Sequence, residues 1–81
     1  MSDIYKRTLQ IEFKYRQRCT KFVKHIKKLC PQYFDGKGER CVWLKFDREE
    51  TMEVVKIKVL SEIKSCEIRK RENGDDYIFV N

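Results

Sequence analysis

Proline occurs once in this chain, glycine three times and histidine once. The four cysteines, at 19, 30, 41 and 66, form no CxxC pair. With His25 as the single imidazole, Cys19, His25 and Cys30 match no standard zinc spacing, so neither a metal nor any other cofactor is expected. No glycine-rich phosphate loop of either common type is present, which excludes the familiar nucleotide cradles. No apolar run approaches the ~18 residues of a membrane span. Met1 leads into a polar, charged start without the apolar segment of a secretory signal. The expectation is an intracellular protein, cytoplasmic or nuclear, whose thiols serve as small core residues.

The most telling absence is of acid. Between Phe13 and Phe34 there are seven basic side chains, Lys14, Arg16, Arg18, Lys21, Lys24, Lys27 and Lys28, and not one Asp or Glu. The net charge of +6 is therefore unevenly placed. Residues 1–34 hold nine basic and two acidic side chains; residues 35–81 hold ten and eleven. An excess confined to one segment favours a polyanionic partner: nucleic acid, with RNA ahead of DNA, or an acidic protein surface.

The chain, at 81 residues, is long enough for one small domain, 1–81. A domain of this size has little apolar surface to spare, and a deep water-excluding pocket would compete with its core. Together with the lack of a nucleophile beside a base, this points away from an enzyme.

Thr8 to Arg16, TLQIEFKYR, alternates, with Leu9, Ile11, Phe13 and Tyr15 on one side: the first strand, with Lys14 and Arg16 on its polar side. The period then changes. Cys19, Phe22, Val23, Ile26, Leu29 and Cys30 gather on one side of a helical wheel, which predicts a helix over roughly 18–30, stopped by Pro31. Lys21, Lys24 and Lys28 fall opposite that stripe, Lys27 lies to one side, and His25 sits on the helix surface. Residues 31–39 read as a loop. Residues 40–46, RCVWLKF, read as a strand, with Val42, Leu44 and Phe46 on one face and Cys41, Trp43 and Lys45 on the other.

Residues 48–64 are ambiguous. Asp47 followed by Glu50 resembles a capping box, and Met52, Val55, Val59 and Ile63 make a helical stripe; Val55, Ile57 and Val59 also alternate like a strand. Helix is favoured by length and by the acids in the first turn. At the end, Asn73-Gly74 between two strand-like runs predicts a hairpin with a two-residue type I′ turn, pairing Arg71 with Asp76 and Arg69 with Ile78.

The expected architecture is α+β, order β-α-β-α-β-β, with a mixed sheet of about four strands on two helices. That order resembles Alba-type chromatin and RNA proteins and the C-terminal domain of translation initiation factor three. The resemblance is one of element order and carries no site residue. Glutaredoxins share the order but need a CxxC or CxxS motif and a proline before the third strand, which are missing.

Three features carry the functional expectation. The first is the basic run from Lys14 to Lys28; every surface helix sets lysines opposite its core, but that alone does not explain the missing acids. The second is Trp43, which with Lys45 would face away from the helices and could stack on an unpaired base, unless it is core. The third is Arg69 to Arg71, where opposite charges across the hairpin are the ordinary alternative. The leading expectation is a non-catalytic RNA-binding module or small ribonucleoprotein subunit, for instance ribosomal. The second is a small adaptor or inhibitor, for example a viral or phage protein, that docks on a partner protein.

Overall fold

The computed structural model describes residues 7–81. The elements are β1 (Thr8–Phe13), α1 (Arg16–Leu29), a 3-10 turn (Pro31–Tyr33), β2 (Phe34–Lys37), β3 (Cys41–Lys45), α2 (Glu49–Glu62), β4 (Cys66–Lys70) and β5 (Asp76–Val80). They build an α+β unit with one five-stranded mixed sheet in the order β2-β3-β1-β5-β4. β1 lies at the centre, antiparallel to β3 and parallel to β5.

One face of the sheet is covered. Leu9, Ile11 and Phe13 of β1, Val42 and Leu44 of β3, Phe46 just after it, and Ile78 and Val80 of β5 are all buried. They form a single core with Cys19, Val23 and Ile26 of α1 and Met52 and Val59 of α2. Both helices therefore pack on the same side, and alternation in the strands sends the intervening residues to the other. No buried polar or charged residue interrupts this core among the described residues.

The structure departs from the sequence reading in five places. The loop expected at 31–39 contains a further strand, β2, so there are five strands and the order is β-α-β-β-α-β-β. β2 is an edge strand with an irregular register between Phe34 and Gly36, where glycine hides the alternation that marks strands. The likeness in element order to the Alba-type and initiation-factor domains does not survive the extra strand.

β1 ends at Phe13 rather than Arg16. The chain turns at Lys14 and Tyr15, α1 begins at Arg16, and Tyr15 is 52% exposed. Lys14 and Arg16 thus leave the strand. Leu29, assigned to the core, is 64% exposed in the last turn of α1.

α2 settles the ambiguity of 48–64 in favour of helix, although the residue before its first turn is Arg48, with no side-chain cap bond, so the Asp47–Glu50 box does not form. Val54 and Ile57 point outward at 65% exposure each, which explains the mixed pattern: this helix carries apolar residues on both sides.

The hairpin register differs by one residue. Lys70 pairs with Asp76, Arg69 with Tyr77, Ile68 with Ile78 and Glu67 with Phe79. Arg71 N–H donates to the Asp75 carbonyl and Gly74 N–H to the Arg71 carbonyl, and Gly74 alone among the described residues has a positive φ, at 91°. This is a three-residue loop with glycine in the left-handed position, in place of the two-residue type I′ turn. Asn73 serves it differently: its Oδ1 accepts from Asp75 N–H at 3.0 Å. A one-residue slip moves every side chain to the opposite face. Here it places Ile68 on the helix side and Arg69 on the other.

Candidate nucleic-acid interface

The uncovered face of the sheet is ordered in rows, because side chains on neighbouring strands stand side by side. One row runs Gly36, Trp43, Gln10, Tyr77, Arg69: Gly36 and Gln10 both pair with Trp43, and Arg69 pairs with Tyr77. Gln10 comes next to Tyr77 by continuing the β1–β5 register from Ile11 and Ile78. The next row runs Cys41, Glu12, Phe79, Glu67. Beyond the first row, on its other side, stand Lys45, opposite Thr8, and Arg71. The face thus has one end with Lys45, Arg71 and Arg69, where Asp75 stands opposite Arg71, and an acidic end with Glu12 and Glu67. Trp43, Tyr77 and Phe79 are half-buried, and no described segment packs across them.

Trp43 lies across the sheet. Its Nε1 donates to Gln10 Oε1 at 3.3 Å on one side. On the other its benzo edge reaches over β2, where a Cβ added to Gly36 would lie 4.0 Å from it and one added to Gly38 would lie 3.5 Å away. The indole is thus within ordinary van der Waals reach of these two glycine positions, and a Cβ at either would not clash with it. Gln10 accepts through its oxygen, which leaves its amide NH2 as a donor.

The two guanidinium groups sit against the other rings. Arg69 lies 3.8 Å from the centroid of Phe79 and donates to Glu67 Oε1 at 3.0 Å. The hydrogen bond to Glu67 chiefly, with Tyr77 contributing, holds its guanidinium above the ordinary arginine value. Arg71 lies 6.0 Å from the Tyr77 centroid, and its Nε is buried without a hydrogen-bond partner among the described residues. A cleft of about 530 Å³ is lined by Trp43, Thr8 and Arg71 and continues past Asp75 and Asp76 to Met52. Its mixed acids and bases make it a poor phosphate pocket.

The expected site residues divide between two surfaces. Trp43, Lys45, Arg69 and Arg71 share the open face. Lys14, Arg16, Arg18, Lys21, Lys24, Lys27 and Lys28 belong to α1 and the turn before it, on the helix side. Four of these seven have partners. Arg16 lies 3.6 Å from Glu39, an acid outside the basic run, between two fully wet side chains. Arg18 donates to the Asn81 carbonyl. Lys27 sits 4.7 Å over the Phe34 ring and Lys14 5.6 Å from that of Tyr15. Lys21, Lys24 and Lys28 are exposed, with no partner among the described residues.

Tyr77, Phe79 and Gln10 were not among the expected residues. The signal for the first two is the alternation in DYIFV, which sets aliphatic Ile78 and Val80 against the two rings. All four cysteines are free, and no cluster of metal-ligating side chains occurs among the described residues. Burial pushes the Cys19 and Cys66 thiols up, against the activation a nucleophile needs. No described helix is long and apolar enough to cross a membrane. No protein-family model, no curated protein and no solved structure matches the chain.

Proposed function

We propose that this protein is a non-catalytic module that binds single-stranded nucleic acid, RNA ahead of DNA, on the open face of its sheet. The observation that carries the reading is the row Trp43, Gln10, Tyr77, Arg69, flanked by Lys45 and Arg71. Trp43 and Tyr77 are separated by one intervening strand, about 10 Å at the usual strand spacing. Every base has a π-face, so rings on an open sheet accept bases with little regard to sequence, while adjacent cations take the phosphates. Gln10 supplies a donor to a base edge between the two rings.

Trp43 is the only tryptophan in the chain, so its emission reports on this row alone. Titration with a mixed-sequence single-stranded RNA should quench it, and log affinity should fall linearly with log salt. Trp43→Ala should weaken binding, followed by anisotropy of labelled RNA, about 5- to 150-fold, from the ~1–3 kcal/mol that a base–aromatic stack contributes. An unchanged affinity in that variant sinks the reading. No RNA affinity at all, with one protein partner co-purifying, would favour the adaptor alternative.

A further inference from the structure

The open face leaves one charged surface unused. α1 has no acid along its length, and Lys21, Lys24 and Lys28 form a ridge opposite its buried stripe. The ridge spans about 10 Å, from the ~1.5 Å rise per residue. Lys27 and Lys28, in the last turn, suit the negative end of the helix dipole. Lys21 and Lys24 lie earlier, where the dipole gives no such reason, and like charges three and four residues apart destabilise a helix. The only acid paired to this helix among the described residues is Glu39, at Arg16 in its first turn. Phe22 packs 5.5 Å from Phe13 on the core side, so the one ring on the wet surface of α1 is the exposed imidazole of His25, beside the lysines.

We propose that this ridge is a second nucleic-acid site, for the sugar-phosphate backbone of a duplex, and that the protein bridges a duplex on α1 to a single strand on its sheet. The bridging half rests on the function proposed above; the duplex half does not. Three points favour it. A ridge of point charges with no ring beside it but the small imidazole of His25 matches a backbone whose bases are paired and hidden, one charge per ~1.7 Å of axis. A duplex backbone relieves the repulsion along the ridge, which nothing in the described chain does. The helices cover one side of the sheet and the open row lies on the other, so the two sites are back to back on a body whose smallest extent is 23 Å. One short strand does not reach both.

The test uses a single-stranded RNA immobilised on beads, the protein, and a labelled 20-base-pair RNA duplex, read as duplex retained. Wild type should retain it. A variant with Lys21→Gln, Lys24→Gln and Lys28→Gln, shown folded by circular dichroism, should quench Trp43 with single-stranded RNA within about twofold of wild type. It should lose retention at least 10-fold, and its duplex affinity should have a salt slope shallower by about 2–3, from ~0.9 per phosphate neutralised. Trp43→Ala should lose the single strand and keep the duplex. Retention unchanged in the lysine variant overturns the proposal, as does mutual competition between duplex and single strand. If wild type binds no single-stranded RNA, the reading of the sheet fails alone. Direct duplex titration of wild type against the lysine variant then decides the ridge: loss on substitution supports it and equal affinity overturns it.

Discussion

Ile78 and Phe79 are neighbours on β5, yet they serve opposite surfaces. Ile78 is fully buried against the helices; Phe79 stands half-exposed beneath a guanidinium. The same contrast holds on β3 between Leu44 and Trp43. The buried core is mainly aliphatic and, among the described residues, has no charge. The open face puts three rings among three cations and three acids, Glu12, Glu67 and Asp75. A chain this short has few large side chains to spare for anything but stability. That it holds Trp43, Tyr77 and Phe79 out of the core is the strongest physical hint that they serve something other than folding.

The contrast can be broken most directly on β5. Ile78→Ala should lower the unfolding free energy by about 2–5 kcal/mol in a urea titration, as for a buried isoleucine. Phe79→Ala should cost less than Ile78→Ala despite removing the larger side chain. Equal or greater loss would mean that the open face belongs to the core after all. Next in size is the hairpin that sets which side chains go where. Gly74→Ala forces a side chain into a positive φ and should cost about 1–2 kcal/mol by the same titration. A neutral result would mean that position 74 is not held at a positive φ, against either form of the turn. The smallest effect is local. A double-mutant cycle of Arg69→Ala with Phe79→Ala should give a coupling of about 0.5–1 kcal/mol, the scale of an exposed cation–π pair. Zero coupling would show that Arg69 is held by Glu67 alone.

Much of the covered face was legible. Thr8 to Phe13 and Cys41 to Lys45 alternate because one side of each strand is buried, and burial is what makes alternation readable. α1 announced itself through a clean stripe. α2 did so less clearly, since Val54 and Ile57 place apolar residues on its wet side as well. The open face was legible only at Trp43 and Lys45, which share a strand with obvious core residues. Arg69 was assigned the wrong neighbours because Asn-Gly suits both a two- and a three-residue loop, and one residue of difference exchanges the faces. β2 escaped because Gly36, with Gly38 just after the strand, removes the side chains that would have shown the alternation. The basic run looked continuous in sequence, but β1 ends at Phe13, so the run lies on α1 and the turn before it and not in the strand row of Trp43.

The parallel pairing of β1 with β5 has a consequence for how the chain assembles. It joins Ile11 to Ile78 and Phe13 to Val80, so the central strand lacks one neighbour until the last strand arrives. Closing so long a loop precedes any gain from the contacts it brings. Emerging from the ribosome, the first strand, both helices and β3 can meet early, while one edge of β1 waits with unpaired amides for residues near position 80. That interval is when the protein is most open to pairing with a strand that is not its own.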